Sequence, residues 1–280
     1  MSNFKVDFIG IGSGKCGSTW VHANLAKHPA VCDTNLKELN YFSDLYDEHP
    51  FEWYESQFSG CQAGEIKGEF SVTYLSHPLA AERIKRHFPD VKLLAIVRNP
   101  VQRTFSNYLH SVRKGDLPEK TPFAEYITHA PHLVPAQYVD HFRSWYATFP
   151  KERILVLVLE EFTRNPEAGY QRIFEFLGID ATFLPPGYKD RNNEARSYKS
   201  LWLENLLVQS YRFLSRRGFT KLVKRIVDSG VGEYVRRFNA DDRALPQLDA
   251  ASRDKLIEYY RPFNRELAAL TGLNLSFWPQ

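Results

Sequence analysis

Cysteine is scarce in this chain of 280 residues, with Cys16, Cys32 and Cys61 the only three. They are too few and too scattered for a disulfide framework or a closed zinc site. Long apolar runs are also missing. The longest, residues 154–159, falls far short of the length needed to cross a bilayer. The opening segment MSNFKVDF has neither the cationic start nor the apolar centre of a secretory leader. These absences lead to the expectation of a cytoplasmic protein in a reducing compartment, with no transmembrane segment. No histidine pattern supplies a metal site either. His129 and His132 flank a proline with no carboxylate to complete a ligand set, so no metal is expected.

What the sequence does contain is the material of an ordinary globular core, 43% hydrophobic and 25% charged, which is expected to form a single domain over residues 1–280. Net charge is only +3, but residues 189–237 hold 12 Lys and Arg against 5 Asp and Glu. Such a run is either the solvated face of a helix or a surface for a polyanion. Nearly continuous apolar, β-branched runs at residues 5–11, 91–97 and 154–159 predict buried parallel strands. Helical patterns at residues 18–27, 77–87 and 136–149 lie between them, and residues 254–270 predict one more amphipathic helix. Alternation of this kind implies an α/β fold, a central parallel β-sheet flanked by helices with P-loop-like nucleotide-binding topology. Ligands of such sheets bind at the carboxyl ends of the strands. Residues 118–135 and 184–200, rich in loop-forming residues, are expected to be lids.

The first strand runs into GIGSGKCGSTW, a glycine-rich turn with one lysine. Gly12, Gly14 and Gly17 satisfy G-x-G-x-x-G, the dinucleotide turn, although a lysine inside it is unusual. A nucleotide triphosphatase or kinase loop would need glycine at position 9 and a hydroxyl at position 16, where Ile9 and Cys16 stand. A third unit is Lys15, Cys16, Gly17, Ser18, Thr19 and Trp20: a cation at the turn, a glycine for backbone clearance and two hydroxyls on the first helical turn. Helix-terminal N–H groups with those hydroxyls can hold an anion, and Lys15 brings charge without a metal. A second anion motif, RNPVQRTFSNY, follows the run at residues 91–97, with Arg98 at the strand's end and Ser106 eight residues on. Arg98 can fork onto a phosphate, and Ser106 can donate from the helix.

With both motifs in this order the chain resembles the sulfotransferases that use 3′-phosphoadenosine 5′-phosphosulfate (PAPS), releasing 3′,5′-diphosphoadenosine (PAP). Their 5′-phosphosulfate loop reads K-S-G-T-T-W, and their 3′-phosphate signature R-[ND]-P-x-x-R-x-x-S-x-Y. The resemblance extends over nearly the whole chain and implies that Lys15, Cys16, Gly17, Ser18, Thr19, Trp20, Arg98 and Ser106 bind the donor. Arg191, Arg196 and Lys199 occupy the position of a loop that closes over the nucleotide, which implies further contacts there. LKELNYF resembles the acidic-plus-aromatic stretch of the carbohydrate sulfotransferases, where a glutamate deprotonates the acceptor, so Glu38 is the implied base and Lys15 the stabiliser of the leaving oxygen. GEFSVTYL resembles E-K-[ST]-P-x-Y with Phe70 in place of a lysine. Either Lys67 reaches in to replace it or Lys15 acts alone. The acceptor class implied is a hydroxyl, or an amine, on a small molecule, glycan or lipid-linked group, with no nucleic acid partner. Residues 210–237 can shape the acceptor mouth, meet a membrane surface or pair two subunits into a homodimer. A P-loop-type kinase and a non-enzymatic polyanion-binding module stay open as alternatives.

Overall fold

The apolar runs of the sequence become the middle of one parallel sheet. The computed structural model describes residues 4–32, 34, 37–118, 120–190, 197–198, 229, 240–241 and 246–279. Within them β1 (Phe8–Gly12), β2 (Val31–Cys32), β3 (Ile66–Phe70), β4 (Lys92–Val97) and β5 (Ile154–Val158) pair in the order β2-β3-β1-β4-β5. Each pairing is parallel. β1 and β5 are buried along their whole length, and β4 is buried after its first residue, which is why these strands read as unbroken apolar runs. β3 carries Lys67, Gly68 and Glu69, and β2 is two residues long, so neither has an apolar pattern of its own. Sheet neighbours, not local preference, make them strands. A Cβ on Gly10 would stand 2.1 Å from the Phe70 ring, and one on Gly68 2.1 Å from the Phe8 ring. Each aromatic therefore lies on a glycine of the adjacent strand.

The α-helices of the described residues are α1 (Ser18–Leu25), α2 (Phe51–Ser56), α3 (Ala80–His87), α4 (Pro100–Lys114), α5 (Phe123–Tyr126), α6 (Ala130–Leu133), α7 (Tyr138–Thr148), α8 (Leu159–Arg164), α9 (Pro166–Leu177) and a C-terminal helix, Ala250–Thr271. Four match the helical patterns of the sequence with their ends shifted. Leu159, expected to close a strand, instead opens α8. Residues 118–135 are not a lid. Phe123, Tyr126 and Leu133 are buried with Tyr108, Leu109 and Tyr260, and the Tyr108 hydroxyl donates to the Thr121 carbonyl at 2.7 Å. Aromatic residues three apart turn this proline-rich stretch into a packed wall beside α4.

Cysteine usage also needs correction. Cys32, at the end of β2, and Cys61, beyond α2, form a disulfide across 29 residues, and Cys16 is free and buried. Cysteine scarcity therefore gives no argument for a reducing compartment. Among the described residues no helix is long and apolar enough to cross a membrane.

Candidate active site

The turn after β1 is held to the sheet before it reaches α1. Ser13 N donates to the Ile96 carbonyl of β4 at 2.9 Å. Lys15 takes a left-handed backbone, φ 67°, and Gly17 follows at φ 82° immediately before Ser18 opens α1. A Cβ on Gly17 would lie 2.8 Å from Leu159 Cδ1, so this position needs glycine for conformation and for space. A left-handed lysine stores strain of the kind found where side chains are aimed for function.

The second motif arrives at the same place from β4. Asn99 caps α4 by accepting from Val101 N at 2.9 Å and Gln102 N at 3.3 Å, with Pro100 in the first helical turn. The Asn-Pro pair thus ends the strand and starts the helix, leaving Arg98 at the junction. Arg98 Nη1 donates to the Lys15 carbonyl at 3.2 Å. Arg103 Nε lies 3.1 Å from both Ser13 Oγ and the Gly14 carbonyl, so the signature's second arginine braces the turn. Tyr138 of α7 closes the junction. Its hydroxyl donates to the Arg98 carbonyl at 2.9 Å and lies 3.5 Å from Cys16 Sγ. Two motifs more than 80 residues apart in sequence therefore form one structure.

That structure is strongly cationic. The Lys15 amine is lowered to about 8, first by burial and then by Arg113, Arg98 and Arg103. His110 falls to about 4 through burial and then the charges of Lys15, Lys114 and Arg113, which keeps the ring neutral at physiological pH. Among the described residues Arg103 Nη1 is buried with no hydrogen-bond partner. Mutually repelling, partly desolvated cations, an unused guanidinium N–H and the N-terminus of α1 are together the chemistry of a polyanion site. Ser18 is buried on the first turn of α1, and Thr19 Oγ1 beside it accepts from Lys37 Nζ at 2.7 Å.

Glu38 reaches this region from a pinned loop. Its backbone, φ 60°, donates N–H to the Phe70 carbonyl at 3.1 Å, and Asn40 N donates to Ser71 Oγ at 2.9 Å. The carboxylate pairs with Lys37 Nζ at 2.9 Å and its side chain is 37% exposed. Phe70 is fully buried against Gly10 and near the His22 ring, so the lysine-replacing residue is a core side chain. Lys67 does not reach in. It stands near the amino end of β3 with Nζ 5.7 Å from the Phe4 ring centre.

Trp20 is enclosed by Phe162 and Tyr170, with its indole N–H donating to the Tyr188 carbonyl at 3.0 Å. It thereby anchors the chain just before residue 191. Ser106, half-buried on α4, shares a helical face with His110 and Arg113, four and seven residues on. That spacing was the available signal for both residues. Arg191, Arg196 and Lys199, and most of the basic stretch over residues 189–237, lie outside the described residues. Lys37 and the fully buried Glu69 lie inside the LKELNYF and GEFSVTYL stretches without having been singled out, and Tyr138 was not singled out either.

Comparison with known proteins identifies the family and the fold. Residues 5–272 match the sulfotransferase domain family. The chain is 25% identical, over 94% of its length, to bifunctional heparan sulfate N-deacetylase/N-sulfotransferase 2 of Homo sapiens, of which it spans 29%. It is 26% identical to heparan sulfate glucosamine 3-O-sulfotransferase 6 of Mus musculus, covering 94% of this chain and 70% of that protein. The fold matches a sulfotransferase from Alicyclobacillus acidocaldarius with a TM-score of 0.73 at 22% identity, over 99% of this chain and all of the other. A family match across nearly the entire length, on a turn and helix that bring Lys15 and Arg98 together, makes this chain a member of the sulfotransferase domain family.

Proposed function

We propose that this protein transfers a sulfuryl group from PAPS to a hydroxyl or amine, with Glu38 as the base. The observation that carries the reading is the contact between the two anion motifs, Arg98 Nη1 to the Lys15 carbonyl at 3.2 Å, which lets one nucleotide touch both. Arg103 Nη1, buried and unpartnered among the described residues, and the depressed Lys15 amine fit a ligand with several negative charges. Lys15, the N-terminus of α1 and the Ser18 and Thr19 hydroxyls would hold the 5′-phosphosulfate end, and Arg98 and Ser106 the 3′-phosphate. Arg191, Arg196 and Lys199 are proposed as further contacts to the nucleotide, and Trp20 as a contact to adenine. The donor supplies the activated sulfuryl group.

The chain's own groups divide the work of an in-line displacement. Glu38 takes the proton from the acceptor, whose lone pair then forms the new bond to sulfur. The bond from sulfur to the phosphate oxygen breaks with its electrons on that oxygen, and the Lys15 ammonium stabilises the charge. Relatives named for heparan sulfate make a glycan amine or hydroxyl a sensible first acceptor class, beside small alcohols and phenols.

PAP is expected to raise the melting temperature of the full chain by several degrees, and NAD or ATP to do so much less. With PAPS and a panel of N-desulfated glycans, alcohols and phenols, PAP release reports turnover. Glu38→Gln should cut kcat by about 100-fold with PAP affinity within about twofold. Stabilisation by ATP or NAD in place of PAP would overturn the donor assignment, and an unchanged rate in Glu38→Gln would clear that residue.

A further inference from the structure

Lys37 bridges Glu38 and the first turn of α1. Its side chain is 27% exposed, with Nζ 2.7 Å from Thr19 Oγ1 and 2.9 Å from Glu38 Oε1. An ammonium has three N–H donors, and among the described residues Lys37 uses two, one on each of these groups. Thr19 belongs to the helix end proposed to face the donor's sulfuryl, and Glu38 is the base proposed to face the acceptor. The ammonium therefore lies between the two groups proposed to face the donor and the acceptor. The other lysines discussed lie elsewhere: Lys15 among Arg98, Arg103 and Arg113, and Lys67 over Phe4. Phe70 is in the core.

We infer that Lys37 is a catalytic residue that binds the sulfuryl oxygens of the donor through its third N–H, an inference that rests on the function proposed above. A cation at that point matches the chemistry of the step. While the acceptor–sulfur bond forms and the sulfur–phosphate bond breaks, the three other sulfuryl oxygens keep their negative charge and need a donor that does not follow the leaving phosphate. Lys15 serves the leaving oxygen; Lys37 serves the group that moves. As Glu38 accepts the acceptor's proton its carboxylate loses charge, so the Lys37–Glu38 pair loosens and the ammonium's attraction passes to the sulfuryl. A lysine that merely paired with Glu38 on the surface would have no preference between nucleotides with and without sulfate.

That difference supplies the test, read as binding and not as turnover. PAP and PAPS are titrated separately by calorimetry against the full chain, cold and without acceptor, for the wild type, Lys37→Ala, Lys37→Gln and Lys37→Arg, with thermal melts to check folding. Lys37→Ala and Lys37→Gln should weaken PAPS about tenfold, the loss of one charge-assisted hydrogen bond, and leave PAP within about twofold. Lys37→Arg should recover part of the PAPS affinity. If both variants bind PAPS as the wild type does, or lose PAP and PAPS equally, the inference about Lys37 is overturned while the donor assignment stands. If wild-type protein binds neither nucleotide, the donor assignment itself fails, and this inference with it.

Discussion

Lys15 is a buried amine with three arginines nearby, and a pKa lowered first by burial and then by those charges predicts that binding of a polyanion is linked to protonation. A polyanion favours the ammonium, so binding holds the proton on. Below about pH 8 the free amine is already protonated, and affinity for PAP should be flat. Above it each binding event must take up a proton, and affinity should fall towards tenfold per pH unit. Calorimetry from pH 6.5 to 9.5 in buffers of different ionisation enthalpy would show the uptake directly, and Lys15→Ala should flatten the profile. Constant affinity and no proton uptake up to pH 9.5 would exclude Lys15 from the anion site. At this scale the sequence is legible where a residue sits in a motif, as Lys15, Arg98 and Glu38 do. It is silent where the role comes from a distant partner. Tyr138 joins Cys16, 122 positions before it, to Arg98, 40 before it, and the contact of Lys37 with Thr19 exists only in the fold.

Among the elements, the carboxyl end of β3 shows how a strand with no apolar signature comes to organise the site. Glu69 is fully buried there and accepts from Ser71 Oγ at 2.6 Å and the Tyr74 hydroxyl at 2.7 Å. Ser71 Oγ in turn accepts from Asn40 N, two residues past Glu38. Burial raises the Glu69 carboxyl from 4.5 to about 7 despite those donors. The native state therefore holds a proton between about pH 4.5 and 7 that the unfolded chain has released. Stability should fall as pH rises through that window and level off above it, by about 3 kcal/mol at most. Urea unfolding of wild type and Glu69→Gln at pH 4.5 and 8 isolates this term, because other groups cancel in the difference. The wild type should lose about 3 kcal/mol relative to the variant between the two values, and a pH-independent difference would contradict a buried, titrating Glu69. The central strands and the capped α4 were readable because burial on both faces and the Asn-Pro cap leave local marks. β2 and β3 left none, since their pairing is a property of the sheet.

For the whole molecule, the alternation of apolar runs with helical patterns was enough to give the fold class and the end of the sheet where the candidate site lies. Long-range closure was not. The two cysteines 29 positions apart are unremarkable in sequence, yet β2 brings Cys32 beside the turn that follows α2 and the disulfide forms. The closed segment contains Lys37, Glu38, the π-helical turn Tyr41–Leu45 and α2, so it ties the proposed base to the edge of the sheet. A loop of that length restricts the unfolded chain by roughly 3 to 4 kcal/mol in the chain-entropy account. Cys32→Ser with Cys61→Ser should therefore lower the melting temperature by several degrees. Reductant should produce a similar drop in the wild type and none in the double variant. Glu38 is also held by Phe70 and, through Asn40, by Ser71, bonds that do not involve the disulfide. The variant should accordingly keep its PAP affinity and lose thermal stability alone. A melting curve that ignores reductant in the wild type would show that the bond does not form in solution, and a parallel loss of PAP affinity would show that the closure shapes the donor site as well.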